Sequence, residues 1–254
     1  MPLRLAFDLD GTVADLHSAL EREVATLFPD LEPQDLELPD STSAELPVSE
    51  DPDSRPPDEE ADPPPDSTLR RLTSVQQTRL WTHVQQTHDF WMSLDEIVPG
   101  AIARLATLAQ ERRWEVLFIT TRPQTAGDTV QRQSQRWLES QGFLMPSVFV
   151  VRGSRGKVAR ALRLDAVVDD RPENCVDVVS DSSACAVLIW PDGSEVPVET
   201  IERRVVGLGI APLPTIGDCL DILESLDPTA HPRAMRRMLR KRLGLKPSTS
   251  SDDR

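Results

Sequence analysis

Apolar positions along this chain fall into two alternating patterns. Five short runs are nearly unbroken: residues 3–7 (LRLAF), 114–120 (WEVLFIT), 147–151 (SVFVV), 165–169 (DAVVD) and 184–190 (ACAVLIW). Runs of this length and composition are expected of strands covered on both faces, as in a parallel sheet. Between them, residues 100–113, 125–142 and 153–164 repeat apolar positions every three or four residues, which predicts helices, the second of them stopped by Gly142. Strand and helix alternate, so the pattern predicts βαβ units and a doubly wound α/β fold. Ligands in such sheets bind outside the carboxyl ends of the strands.

The alternation is interrupted once. Residues 15–28 and 67–92 both read as helical, and they flank residues 29–66, which carry 14 Asp and Glu against Arg55 alone, with ten prolines. Proline at that density stops helices and central strands, so the acidic segment is expected to be disordered. The two helices are expected to form a small cap inserted after the first strand. This divides the chain into an α/β core (residues 1–14 and 98–228), a helical cap insertion (15–97) and a basic C-terminal helix and tail (229–254). Beyond residue 190 the pattern predicts a turn at 191–197 and a helix at 215–226. A basic amphipathic helix follows at 231–246, with Met235, Met238, Leu239, Arg242 and Leu243 near one face. Packing on the body is the favoured reading of that helix, over attachment to nucleic acid or membrane.

Composition narrows the setting. A chain of 254 residues suits one domain with an appendage. The net charge is -14, but residues 29–66 supply -13 of it, so the acidity is local and says little about partners of the folded part. Cys175, Cys185 and Cys219 are odd in number and lie in apolar surroundings, which suits buried thiols in a reducing compartment. No apolar stretch reaches the roughly 18 residues of a membrane span, and the N-terminus lacks a signal-peptide pattern. A cytoplasmic protein without membrane attachment is expected.

The candidate chemistry begins at residues 6–15, AFDLDGTVAD. The two-residue period of a strand puts Asp8 and Asp10 on one side and Leu9 on the other. Two carboxylates sharing one site repel each other unless a positive charge stands between them, and a divalent cation meets that need. Hard oxygen ligands with no His or Cys nearby favour magnesium over zinc. Gly11 would release the chain from the strand at unusual dihedrals, and Thr12 would cap the turn. Three further strand ends carry complementary groups: Thr120 and Thr121 before Arg122, Lys157 in GSRGK, and the pair Asp169 and Asp170. GSRGK lacks the glycine spacing and following Ser/Thr of a nucleotide-binding phosphate loop.

This order of groups resembles the haloacid dehalogenase-like hydrolase superfamily over roughly residues 3–190. The resemblance implies a magnesium-dependent phosphatase with Asp8 as nucleophile and Asp10 as acid/base. Thr120 and Lys157 would bind the phosphoryl group, with Thr121 an alternative to Thr120. Asp8, Asp10 (through its carbonyl) and Asp170 would hold magnesium, and Asp169 would steer a bound water or Lys157. Within the superfamily, DLDGTVAD, FWMSLDEIVPGAIARL and ITTRP look most like the 5'-(deoxy)ribonucleotidase branch, which implies a mononucleotide as the small phosphorylated substrate. Phe90, Trp91 and Trp81 are candidates for stacking on a base, although aromatic residues at helical spacing more often belong to a core. His17 and His88 read as structural or solvated. Two rival readings stand beside this one: a phosphatase of nucleic-acid ends, since DDRPENCVDVV resembles the phosphatase module of bacteriophage polynucleotide kinase, and a non-catalytic phosphate-binding protein on the same fold.

Overall fold

The computed structural model describes residues 3–29, 72–191, 206–227, 229–230 and 232–245. The acidic segment from residue 30 onward and most of the turn expected at 191–197 lie outside the described residues. Among these residues six strands form one sheet: β1 (Arg4–Asp8), β2 (Glu115–Thr120), β3 (Ser147–Val150), β4 (Ala166–Asp169), β5 (Cys185–Ile189) and β6 (Ile210–Leu213). Their order is β3-β2-β1-β4-β5-β6 and every pairing is parallel. The five strands expected from the apolar runs are all present. The sixth was hidden by Pro212, which argues against a strand in sequence. At the sheet's edge, opposite Leu188, the missing N–H of Pro212 has no further strand to serve.

The chain winds from β1 out to β3, then crosses to β4 and winds the other way. Strand order therefore reverses between β1 and β4, and a crevice opens at their carboxyl ends. Asp8 ends β1 and Asp169 ends β4.

Among the described residues, eight α-helices cover the sheet: α1 (Leu16–Leu27), α2 (Ser74–Gln86), α3 (Ala101–Arg112), α4 (Val130–Ser140), α5 (Arg155–Leu162), α6 (Pro172–Asp181), α7 (Ile216–Glu224) and α8 (Pro232–Arg242). One face of the sheet (Ala6, Ile119, Val167, Ala186) packs with Ala159 of α5 and Cys175 and Val178 of α6. The other (Leu5, Phe7, Phe118, Val168) packs with the remaining helices. α6 was not foreseen. Its first residue, Pro172, sits where a helix tolerates a missing N–H.

The insertion after β1 opens and closes at one neck, where the Asp15 N–H donates to the Asp95 carbonyl at 2.9 Å and the Ile97 N–H to the Val13 carbonyl at 3.0 Å. Leu20 and Val24 of α1, Leu80 and Val84 of α2, and Phe90 and Trp91 belong to the same buried cluster as Phe7 and Phe118. Its helices thus share the core of the sheet. The helix expected over 67–92 ends at Gln86, and Asp89 takes a left-handed conformation (φ 51°) before a short 3-10 turn at Phe90–Met92. The helix expected from residue 125 starts only at Val130, because the preceding loop is held by the insertion. The Asp89 N–H donates to the Ala126 carbonyl (2.8 Å), the Ala126 N–H to the Gln85 carbonyl (2.8 Å) and the Asp128 N–H to the Asp89 carboxylate (2.9 Å). Thr129 then caps α4 by accepting from the Arg132 N–H.

The basic helix α8 buries Met235 and Leu239 in the main core, joined by Leu243 just beyond its end, and leaves Met238 more exposed. Arg236 pairs with Asp165, and Arg240 donates to the Ser183 carbonyl at 3.2 Å. Both partners precede strands, so α8 sits toward the amino ends of β4 and β5, away from the crevice. All three cysteines are buried and free, and burial pushes the Cys185 thiol up to about 11 and Cys219 to about 12.

Candidate active site

β1 delivers Asp8, 8% exposed, to the floor of the crevice. The next turn is tied by the Val13 and Ala14 N–H groups, both donating to the Leu9 carbonyl (2.9 and 2.7 Å), and by the Gly11 N–H on the Ala14 carbonyl (3.0 Å). Gly11 takes φ +79°, and a Cβ there would lie 2.0 Å from Asp170 Oδ2. Only glycine meets both demands: a left-handed backbone and a carboxylate packed against it. Thr12 is buried, but its hydroxyl has no hydrogen-bond partner among the described residues, so it does not cap the turn as expected.

Two buried arginines meet the carboxylates of DLD from opposite faces of the sheet. On the α5 side, Arg155 Nη2 donates to Asp8 Oδ1 at 2.8 Å, and its Nε lies 3.6 Å from Asp169 Oδ2, beyond hydrogen-bond reach. That Nε has no acceptor among the described residues, although the side chain is only 3% exposed. On the α4 side, the Arg122 guanidinium, fully buried, grips Asp10. Its Nε lies 3.0 and 2.9 Å from the two carboxylate oxygens and its Nη2 lies 2.7 Å from Oδ1. Thr120 ends β2 with its hydroxyl 3.4 Å from Asp10 Oδ2, and it accepts from the Arg122 N–H at 3.2 Å.

Asp169 is fully buried and held from behind: Asn174 Nδ2 donates to both of its oxygens (2.9 and 3.0 Å), and the Arg171 N–H to one (2.9 Å). Burial pushes the Asp8 carboxyl well above the usual carboxylate range. The charges of Asp169, Asp170 and Asp10 push the same way, against the pull of Arg155. Burial likewise raises Asp170, with Asp169 and Asp10 adding to it. Asp169 is raised by burial, and Arg155, Asn174 and Arg171 oppose the rise. Negative charge is therefore crowded at the ends of β1 and β4 beyond what Arg155 offsets.

Several sequence expectations meet a different geometry. Asp8, Asp10, Thr120, Asp169 and Asp170 come together at the crevice. Lys157, the expected cation, is exposed, and Arg155 stands at Asp8 instead. Residues two apart on a helix point to nearly opposite sides, so only one of the two can face the sheet. The roll of α5 is fixed by Gly156, where a Cβ would meet the Asp177 carbonyl oxygen at 2.0 Å. Thr121 is exposed beyond the end of β2. Phe90, Trp91 and Trp81 are at most 8% exposed and belong to the core, so they offer no stacking face. His17 pairs with Glu21 and His88 with Asp89. Asp15 caps α1 by accepting from the Ser18 N–H at 2.9 Å. Sequence reasoning named Arg122 without giving it a role and missed Arg155 and Asn174. A cation two residues beyond a strand with an apolar core, VLFI, as Arg122 is, was the available signal, because a charge so close to the sheet must find a counter-charge.

No family model matches the chain, and no curated protein does. Among solved structures, it is similar to a HAD family hydrolase from Deinococcus radiodurans R1 with bound phosphate and sodium. The identity is 13%, over 86% of this chain and 93% of that one, with a TM-score of 0.47. It is also similar to a haloacid dehalogenase-like family hydrolase from Xanthomonas campestris, with 12% identity over 96% and 98% of the two chains and a TM-score of 0.40. At scores this low neither likeness adds to what the chain's own geometry carries.

Proposed function

We propose that this protein is a phosphomonoester hydrolase of the haloacid dehalogenase-like kind, working through an aspartyl-phosphate on Asp8. The observation that carries the reading is a buried carboxylate, Asp8, at the β1/β4 switch point beside a buried guanidinium with an unused Nε donor. A nucleophilic oxygen and an oxyanion donor lie within one crevice, which is what transfer of a phosphoryl group needs.

The donor set fits magnesium. Among the described residues no group of three or more Asp, Glu, His or Cys side chains is disposed to hold a metal ion. Magnesium does not require one, because it is ordinarily held by one or two carboxylates with waters and substrate oxygens. Asp8 and Asp170, with the Asp10 carbonyl, would supply hard oxygens where carboxylates are crowded. A magnesium ion bound there would neutralise charge on the phosphoryl oxygens and lower the cost of bringing Asp8 against them.

Asp8 Oδ2, the oxygen not bonded to Arg155, attacks phosphorus in line. The ester P–O bond breaks, and the departing oxygen takes a proton from Asp10. Arg155, in the role foreseen for Lys157, and the Thr120 region hold the non-bridging oxygens. Water then attacks the aspartyl-phosphate, yields its proton to Asp10, and the P–O bond to Asp8 breaks to free phosphate and the carboxylate. Asp169, fixed by Asn174, keeps Arg155 oriented.

A small phosphorylated substrate is proposed, with 5'-mononucleotides first among candidates on the sequence resemblance. The nucleic-acid-end reading loses support because α8 lies toward the amino ends of the strands. The test is phosphate release with magnesium from mononucleotides, sugar phosphates and 3'-phosphorylated oligonucleotides. Wild type is expected to act on small esters, and Asp8→Asn to lose about 10⁴-fold or more. Equal activity in the Asp8→Asn variant would sink the nucleophile, and action on oligonucleotides alone would sink the substrate class.

A further inference from the structure

We propose that Arg122 is a positioning residue that aims the Asp10 carboxylate for proton transfer, and that Ser134, Trp91 and Trp137 hold Arg122 in that pose. The inference rests on the phosphatase reading and adds a residue and an oxygen atom to it.

Asp10 lies beyond the end of β1, on a turn bent by Gly11, where the sheet no longer fixes a side chain. A misplacement of about 1 Å costs an acid/base roughly 10²-fold, so something else must orient it. The Arg122 fork does so by touching both carboxylate oxygens, with Nη2 on Oδ1 and the Nε–H shared between Oδ1 and Oδ2. Arg122 is immobilised in turn. Its Nη1 donates to Ser134 Oγ at 2.9 Å, and its guanidinium lies 4.7 Å from the Trp91 ring centroid and 5.8 Å from that of Trp137. Both rings are themselves pinned, Trp91 Nε1 to the Pro123 carbonyl (3.1 Å) and Trp137 Nε1 to the Leu94 carbonyl (2.8 Å). Trp91 comes from the insertion and Trp137 from α4, so the clamp joins the insertion to the reacting carboxylate.

The clamp also separates the two oxygens. A carboxylate oxygen offers about two lone-pair sites. Oδ1 accepts the Nη2 N–H at 2.7 Å and shares the single Nε–H (3.0 Å) with Oδ2 (2.9 Å), whose own further contact is the long 3.4 Å one from Thr120. Oδ2 is therefore the oxygen that gives and takes the proton, on the side of Asp10 nearest the end of β2.

Arg122→Lys keeps the charge and removes the fork, so it tests aim rather than neutralisation. The first half-reaction needs the acid only when the leaving group is poor, while hydrolysis of the aspartyl-phosphate needs the base whatever the substrate was. With magnesium present, Arg122→Lys is expected to keep a nitrophenolate burst of about one per protein from nitrophenyl phosphate, then turn over about 10²-fold more slowly than wild type. An alkyl phosphate should turn over more slowly still, with no burst, because formation of the aspartyl-phosphate then limits the rate. Should Arg122→Lys fail to fold, Ser134→Ala loosens the same guanidinium and should give the same pattern with a several-fold loss. Loss of burst and turnover together in a folded variant would mean a merely structural role and overturn the proposal, as would unchanged turnover. A wild-type protein that releases phosphate from neither ester would instead overturn the phosphatase reading and this inference with it.

Discussion

A carboxyl that folding holds above its ordinary range is a stability liability as well as a chemical asset. Asp8, Asp169 and Asp170 are all raised, chiefly by burial. The folded chain binds such protons more tightly than the unfolded one. The stability they contribute is therefore fully present below the unfolded carboxyl value of about 3.9 and is lost as pH rises through the raised folded values. At neutral pH and without metal, the protein carries the mutual repulsion of these groups. Asp170→Asn removes one of the charges while keeping a side chain of similar size beside Gly11. It should raise the melting temperature in chelator at pH 7 by about 2–4 °C, the equivalent of roughly 1 kcal/mol in a chain of this size, and change it little at pH 4. Magnesium should raise the wild-type melting temperature at pH 7 more than that of Asp170→Asn. Melting curves at the two pH values decide the matter, and equal shifts at both would mean that the carboxylates do not strain one another. The acid pairs themselves were legible in sequence, because two acids directly beyond an apolar run cannot be core. Their arginine partners were not, because charge pairing across the sheet end joins residues far apart in the chain.

At the scale of single elements, local sequence foretold the strands better than the orientation of the helices. β1 to β5 were legible because burial on both faces leaves unbroken apolar runs. β6 was not, since Pro212 is acceptable only on an edge and the edge is a property of the whole sheet. The roll of α5 shows the limit most clearly. GSRGK contains two cations, and nothing local says which of them faces β1 and β4. The deciding contact is the approach of Gly156 to the Asp177 carbonyl on α6, which turns Arg155 inward and leaves Lys157 outside. Propensity alone would make Gly156→Ala stabilising by up to about 1 kcal/mol. The clash should win, because a Cβ 2.0 Å from a backbone oxygen can be relieved only by moving one helix off the other. A net loss of about 1–3 kcal/mol in urea unfolding is expected, with phosphate release falling as Arg155 shifts from Asp8. A variant as stable and as active as wild type would show that α5 takes its roll from something other than this contact.

For the molecule as a whole, the distribution of charge separates two ways of meeting an anionic substrate. The chain's basic helix and its crevice lie toward opposite ends of the sheet: α8 is fastened to Asp165 and Ser183, before β4 and β5, whereas Asp8 and Asp169 end β1 and β4. Even a strand of four residues separates its ends by about 10 Å, comparable to the screening length at ordinary salt. Exposed charges on α8 should therefore contribute little to the potential felt at Asp8. Arg233, Arg237 and Lys241 are exposed on the side of α8 away from Met235 and Leu239, so replacing them need not disturb the core. The triple substitution of these three by Gln should leave kcat/KM for small phosphate esters within about two-fold of wild type at low salt, since steering weakens over such distances. The salt dependence of kcat/KM should be the same for the triple variant and for wild type. An enzyme that tracked a nucleic-acid backbone with α8 would behave otherwise: its action on a phosphorylated oligonucleotide would fall with rising salt, and the triple substitution would flatten that slope by roughly one unit for each phosphate the helix no longer neutralises. Steady-state rates across a salt series, on a mononucleotide and on an oligonucleotide bearing the same terminal phosphate, therefore test whether the crevice recognises its substrate without help from the basic helix. A flattened slope in the variant would place substrate on α8 and require a path from there around the edge of the sheet to Asp8.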